Sequence, residues 1–169
     1  MPSYVLALFF SVCLEFHYFC RVMRLKPPKI VRRLMPDLIW EIDDEDGVFL
    51  TFDDGPTPGV TEWILSTLDK YDAKATFFVL GKNVEMYPDL YKRILDAGHK
   101  VGNHTYSHQK GWGMSLERYT EDVDFANDLI HSELFRPPYA RITPAQARFL
   151  GQRYKLVMWD IISRDYNRR

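Results

Sequence analysis

The chain has 169 residues, of which 46% are hydrophobic and 15% aromatic, and its formal net charge at pH 7 is −1. This length fits one ordinary globular domain, and the apolar fraction is sufficient for a core. The charge argues against a nucleic-acid-binding protein, because such proteins carry a basic surplus on the binding face. No acidic tail or long charge block indicates a protein partner.

Residues 1–46 are predicted to be an N-terminal extension and residues 47–169 the folded domain. Tyr4 to Leu14 is a mostly apolar run that is too short to span a membrane. A weak signal or anchor and a segment upstream of a true start at Met23 are both compatible with it, so cytoplasmic and cell-envelope locations stay open. Cys13 and Cys20 also lie here and predict no disulfide framework for the domain.

Strand and helix patterns alternate along the rest of the chain, after an amphipathic approach segment at 30–40. Runs of β-branched and aromatic residues predict strands at 48–52, 75–80, 99–103 and 156–159, with a short extended piece at 134–138. Apolar residues at helical spacing predict helices at 61–71, 88–97, 115–131 and 144–154. This alternation is typical of a parallel α/β fold. The polar ending after residue 164 favours a truncated sheet or barrel, with a naturally short domain as the alternative.

Clusters of polar residues occur where the predicted strands end. They are Asp53-Asp54-Gly55-Pro56, His104-Thr105-Tyr106-Ser107-His108, Arg136-Pro137-Pro138-Tyr139 and Asp160. In parallel α/β folds the carboxyl ends of the strands share one rim, where catalytic groups gather. We therefore expect these clusters to converge.

The histidine pair predicts a metal site. A spacing of four would place His104 and His108 on one side of a helical turn, a common way to hold a first-row metal ion. Two histidines and one carboxylate leave a coordination position open, as in catalytic sites, and a second carboxylate is then available as a general base. Arg136 could hold that base ionised. The alternatives are solvated histidines, and turn chemistry for the Asp-Asp-Gly-Pro segment.

Together these residues resemble the polysaccharide deacetylase family (NodB homology domain, carbohydrate esterase family 4) over roughly residues 48–166. The resembling motifs are Thr51-Phe52-Asp53-Asp54-Gly55-Pro56, His104-Thr105-Tyr106-Ser107-His108 and Arg136-Pro137-Pro138-Tyr139. The resemblance implies a distorted, incomplete (β/α) barrel with parallel strands that lacks its last strand or strands. It also implies a divalent metal, most often zinc, with cobalt, nickel or manganese as alternatives.

The resemblance further implies the residue roles. Asp53 is expected to be the catalytic base, and Arg136 to orient it. Asp54, His104 and His108 are expected to bind the metal, and the Tyr139 backbone N–H to help stabilise the oxyanion. Substrate contacts are expected from Pro138, Trp112, Trp159 and Tyr166.

Two departures from the family pattern are visible. Relatives usually carry Asp at the place of Ile162 and Trp at the place of Tyr166, and a later Leu-x-x-His motif that supplies the general acid has no counterpart before Arg169. The predicted function is removal of N-acetyl, or O-acetyl, groups from an acetylated polysaccharide by metal-bound water that Asp53 activates. The alternatives are a catalytically impaired metal- and carbohydrate-binding fragment or pseudoenzyme, and a structural metal site in an unrelated α/β domain.

Overall fold

The computed structural model describes residues 29–42 and 47–163. The chain divides into two compact units, one from Asp37 to Met158 and one formed by the residues before and after it. In the latter, helix α1 (Lys29–Leu34) is described, and Arg32 forms an ion pair with Asp160 at 3.4 Å. The apolar run 4–14 and both cysteines lie outside the described residues. Among the described residues, no helix combines the length and the apolar character that crossing a membrane requires.

The unit from Asp37 to Met158 is built on a sheet to which the described residues contribute six parallel strands. The strands are β1 (Leu38–Ile39), β2 (Leu50–Gly55), β3 (Ala75–Val79), β4 (Lys100–Asn103), β5 (Leu134–Phe135) and β6 (Lys155–Val157). Their order is β1-β6-β5-β4-β3-β2, so β1 and β2 are edges and the sheet is open. The predicted parallel α/β class is confirmed, as an incomplete barrel.

Helices connect the strands as crossover connections of parallel sheets require. They are α2 (Val60–Lys70), α3 (Gly81–Met86), α4 (Pro88–Asp96), α5 (Leu116–Ile130) and α6 (Pro144–Leu150), with a 3₁₀ turn at Pro138–Ala140. Local sequence sets two of their starts. The Ser115 hydroxyl accepts from the Arg118 N–H at the start of α5, and Thr143 forms a capping box with Gln146 before α6.

The core lies between the central strands and the helices. Strand β3 is buried along almost its whole length, as expected of a central parallel strand covered on both faces. One cluster joins β3 to α2, α3, α4 and α5, and its buried members are Leu65, Leu68, Ala75, Phe77, Val79, Val84, Leu90, Ile94, Ala126 and Ile130. This packing fixes the strand ends that carry the polar clusters.

Several predicted strands and helices differ from the structure. No strand was predicted within residues 1–46, whereas β1 pairs there with β6, and both Leu38 and Trp40 are buried. The first predicted strand, 48–52, instead runs from Leu50 to Gly55 and so includes both aspartates. The last predicted helix ends at Leu150 rather than at residue 154. The domain division itself stays a prediction.

Helix α3 was not predicted, because it begins at a glycine and is only six residues long. A Cβ on Gly81 would lie 2.7 Å from a ring carbon of Tyr106 and 3.0 Å from the Cα of Ala126. Gly81 therefore permits the close approach of α3 to α5 and to the histidine loop. Pattern reading registers the poor helix propensity of glycine but not this packing requirement.

Candidate metal centre and active site

The predicted polar clusters converge at the carboxyl end of the sheet. Asp53 and Asp54 lie at the end of β2, His104 and His108 follow β4, and Arg136 follows β5. Asp160 belongs to the other compact unit and is paired there with Arg32. The predicted convergence at one rim is thus confirmed for three of the four clusters.

A β-bulge separates the two aspartates. Asp53 pairs in register with Phe78 and Gly55 with Val79, so Asp54 is the extra residue, and its φ is 68°. Neighbouring side chains on a regular strand would point to opposite faces of the sheet. The bulge lets Asp53 contact Arg136 while Asp54 contacts the histidines, in keeping with the re-aiming of side chains that bulges perform next to active sites.

Asp54, His104 and His108 form a compact three-ligand group. The Asp54 Oδ1 lies 3.5 Å from His104 Nε2 and 3.1 Å from His108 Nε2, and the three candidate atoms lie within 4.8 Å of one another. Ligands about 2.1 Å from a tetrahedral zinc ion are roughly 3.4 Å apart. The group therefore fits a first-row divalent ion, and three protein ligands leave a position for substrate or water.

The surroundings of His104 favour the neutral form of its imidazole. Its Nδ1 lies 2.6 Å from the backbone carbonyl of Arg136, which can only accept a hydrogen bond, so Nδ1 carries the proton and Nε2 presents a lone pair to the site. Burial lowers the pKa of His104 from its ordinary value, against an opposing effect of Asp53 and Asp54. A neutral imidazole is the form that binds a metal.

The histidines are carried by an irregular loop and not by the helical turn that their spacing predicted. Residues 104–110 contain no helix, and Thr105 and His108 have positive φ values of 68° and 60°. A β-branched residue at positive φ is unusual, so surrounding contacts must hold it. The Thr105 N–H donates to the Asn103 side chain, whose own amide donates to the Val123 carbonyl.

Asp122 on α5 clamps the same loop. Its carboxylate accepts hydrogen bonds from the backbone N–H groups of Tyr106 and Ser107 and from the Ser107 hydroxyl, the last at 2.6 Å. Asp122 is not predicted from the sequence, because an acidic residue inside a predicted helix usually belongs to a solvated face. Asn83 is not predicted either, although its amide donates to the Asp54 carbonyl at the bulge.

Arg136 is buried and connects the candidate base to the sheet. Its Nη1 donates to Asp53 Oδ1 at 2.7 Å and to the Thr51 hydroxyl at 2.8 Å, while Nε and Nη2 donate to the carbonyls of Val157 and Met158. Burial lowers the pKa of Arg136, and the Asp53 carboxylate opposes this shift. Arg136 is therefore hydrogen-bonded to Asp53, and its role in orienting that residue stays a prediction.

Its guanidinium also lies 4.0 Å above the Phe78 ring centre. Strand patterning does not predict that contact, because it indicates only that an aromatic residue such as Phe78 packs in the core. Stacking on an aromatic face is a recurrent way of holding a buried guanidinium.

Tyr139 lies beside the three-ligand group of Asp54, His104 and His108. It occupies the 3₁₀ turn after Arg136 at φ 58°, and its ring centre is 4.6 Å from that of His108. The predicted role for its backbone N–H stays a prediction. Pro138 is buried in the same turn, and its predicted substrate contact stays a prediction.

The other predicted substrate residues have different outcomes. Trp112 is half-buried near this rim, and its indole N–H donates to the Ile142 carbonyl at 3.2 Å. Trp159 belongs to the other compact unit, and Tyr166 lies outside the described residues. A sugar contact remains a prediction for these three residues.

Known proteins are similar to this chain in sequence and in fold. The family model described as "Polysaccharide deacetylase" matches residues 41–155. A peptidoglycan-N-acetylglucosamine deacetylase of Bacillus cereus is 38% identical over 132 residues, which are 70% of this chain and 46% of that protein. Chitin deacetylase 1 of Saccharomyces cerevisiae is 35% identical over 75% of this chain and 44% of that protein.

Solved structures agree. The Bc1960 peptidoglycan N-acetylglucosamine deacetylase superposes with a TM-score of 0.69 at 31% identity, over 72% of this chain and 60% of that one. The chain spans about half the length of the two curated relatives named above. The matched family model and the identity to these relatives show that the chain belongs to the polysaccharide deacetylase family.

Proposed function

We propose that the protein hydrolyses N-acetyl groups on a carbohydrate polymer, with O-acetyl esters as the less favoured substrate, and that it depends on a divalent metal. The observation that carries this proposal is the juxtaposition of two different carboxylates. Asp54 faces the two histidines, while its neighbour Asp53 is held by Arg136 beside them. One carboxylate is thereby available as a ligand and the other as a base.

The ligand group is suited to zinc, with cobalt, nickel and manganese as further candidates. Asp54, His104 and His108 would hold the ion, and the hydrogen bond from His104 to the Arg136 carbonyl would fix the tautomer. When bound, such an ion supplies a Lewis acid and makes water a stronger nucleophile at neutral pH.

Asp53 is the residue proposed to accept a proton. Its Oδ1 accepts a hydrogen bond from Arg136, which leaves Oδ2 for the attacking water. The water oxygen adds to the acetyl carbonyl carbon while Asp53 takes one water proton. Asp53 then gives this proton to the nitrogen as the carbon–nitrogen bond breaks, which yields an amine and acetic acid that ionises to acetate. The backbone N–H of Tyr139 is the proposed donor to the developing oxyanion.

The proposed substrate is an acetylated glycan. The two curated relatives named above are called deacetylases of peptidoglycan and of chitin, both polymers of N-acetylated sugars. The exposed ring of Tyr139 and the half-buried Trp112 support such a substrate, because aromatic faces pack against sugar rings.

The test compares the wild-type chain with Asp53→Asn, Asp54→Ala and the exposed control Asp128→Ala. Acetate release from chitotetraose and from peptidoglycan glycan is measured after zinc loading, together with bound zinc. We expect Asp53→Asn to keep zinc and to lose at least about a hundredfold in rate, as removal of a general base does. Asp54→Ala should lose both zinc and activity, and the control neither.

Stoichiometric zinc in Asp54→Ala would refute the ligand assignment. A wild-type chain that binds zinc and glycan without releasing acetate would replace this proposal by the alternative of a catalytically impaired binding protein.

A further inference from the structure

Arg141 is a half-buried cation at the rim of the site, and two aromatic rings lie beside its guanidinium. Its guanidinium carbon lies 5.5 Å from the ring centre of Trp112 and 5.9 Å from that of Tyr139. Within residues 29–42 and 47–163, no carboxylate forms an ion pair with it. A partly desolvated cation that forms no ion pair with a described carboxylate is available to bind an anion.

The backbone around Arg141 is fixed on both sides. Its N–H donates to the Pro138 carbonyl at 3.0 Å, and its own carbonyl accepts from the Gly111 N–H at 2.6 Å. The Trp112 ring is held in turn by its hydrogen bond to the Ile142 carbonyl. A side chain that starts from a fixed backbone and lies beside a hydrogen-bonded indole ring loses less entropy when it binds a ligand.

Arg141 is also close to the proposed chemistry. The Tyr139 ring that it contacts lies 4.6 Å from the His108 ring, and His108 Nε2 lies 3.1 Å from Asp54 Oδ1. One aromatic ring therefore separates the guanidinium from a candidate metal ligand. A group bound to Arg141 would belong to the same sugar as the acetamide at the metal centre, or to a substituent attached to that sugar.

From this arrangement we infer that Arg141 binds a carboxylate of the substrate and makes the protein prefer acidic N-acetylated sugars over neutral ones. The inference rests on the proposed function. A guanidinium that lies beside aromatic rings can still present its N–H groups, and these match a carboxylate in two-point geometry. A lactyl ether next to the acetamide of a sugar supplies such a carboxylate, and so does a peptide attached through that lactyl group.

The test measures binding to the full zinc-loaded chain by titration calorimetry, with three glycans of equal length. The first carries free lactyl carboxylates, the second carries the same groups converted to methylamides, and the third carries lactyl-linked peptides whose own carboxylates are free. The variants are Arg141→Gln, Arg141→Lys and the control Arg148→Gln, an exposed arginine in the last turn of α6. Thermal melting confirms that each variant is folded.

We expect the wild type to bind a free-carboxylate glycan about tenfold or more tightly than the methylamide, since charge-assisted two-point pairs are strong. Arg141→Gln should reduce that preference to about twofold or less, Arg141→Lys should retain only part of it, and Arg148→Gln should leave it unchanged. A preference for the first glycan identifies the lactyl group as the source, and a preference for the third identifies the peptide.

Equal wild-type binding of carboxylate and methylamide glycans, no binding of any of them, or a preference that survives in Arg141→Gln would overturn the inference. Acetate release measured on the same glycans separates this result from the proposed function. Absent turnover with carboxylate-dependent binding counts against the proposed function alone, and turnover without a carboxylate preference counts against the inference alone.

Discussion

The buried guanidinium of Arg136 ties together strands that are far apart in the sequence. It reaches Thr51 and Asp53 on β2 and the carbonyls of Val157 and Met158 at and after β6, and it covers the Phe78 ring. A buried charge is tolerable only when its hydrogen bonds are made. Here one of these hydrogen bonds also holds Asp53, the proposed base. The same contacts therefore serve stability and the proposed reaction.

Replacing Arg136 with glutamine is expected to lower the free energy of unfolding by about 3 kcal/mol, because Asp53 and two carbonyls lose their donors. Urea unfolding measures the change. The exposed control Arg148→Gln should stay within about 0.5 kcal/mol of the wild type. A loss in Arg136→Gln no larger than that of the control would mean that the guanidinium is not structurally required.

His104 gives a prediction for pH. Its pKa in the folded chain is lowered by burial, so the unfolded chain takes up a proton near pH 6.5 while the folded chain resists it. The contribution of His104 to stability is thus fully present above pH 6.5 and is lost as the pH falls below that value towards the folded pKa. Urea unfolding of the metal-free chain between pH 5 and 8 should show this decline.

The matched variant for this measurement is His104→Asn, whose side-chain amide can still donate to the Arg136 carbonyl. It should lack a part of the slope that amounts to at most about 1.4 kcal/mol per pH unit. Identical slopes in the two proteins would assign the pH dependence to other groups.

Among the elements, the histidine loop depends on a helix that supplies none of the candidate ligands. Asp122 on α5 accepts three hydrogen bonds from Tyr106 and Ser107, which lie between His104 and His108. The positive φ values within this loop have an energetic cost, which such contacts must offset. The position of His108 is therefore set partly from outside its own segment.

Asp122→Ala should weaken zinc binding about tenfold or more without removing a ligand, as outer-shell changes commonly do. Competition with a chelator measures the affinity, and Asp128→Ala on an exposed face of the same helix is the control. If the two variants bind zinc equally well, the loop holds its shape without the clamp.

Part of the fold and of the candidate site could be predicted from the sequence. Hydrophobic patterning located the central strands and the long helices, and three motifs located Asp53, Asp54, His104, His108 and Arg136. Hydrophobic patterning did not predict β1, which has only two residues. It did not predict α3 either, because the glycine that begins this helix is explained only by packing against Tyr106 and Ala126. The helical turn predicted from the histidine spacing was wrong, because equal spacing also arises in a loop with left-handed residues.

For the protein as a whole, the candidate ligands come from two segments about fifty positions apart, so the complete group exists only in the folded chain. Zinc at about one hundred times its dissociation constant should therefore add about 2.7 kcal/mol to the free energy of unfolding. Urea unfolding with zinc and with EDTA measures the gain, and Asp54→Ala is the matched variant that should show none. A gain of equal size in that variant would place the stabilising ion elsewhere.

The bulge at the end of β2 has a consequence for thermal fluctuations. Because the proposed base and the carboxylate ligand are adjacent in the chain, any fluctuation of the edge strand moves both residues together, and one peptide unit fixes the separation of their Cα atoms. The distance to the histidines has no such tether, since it spans strands held by hydrogen bonds. Warming should therefore change the distance from Asp54 to the two histidines before it changes the backbone separation of Asp53 and Asp54.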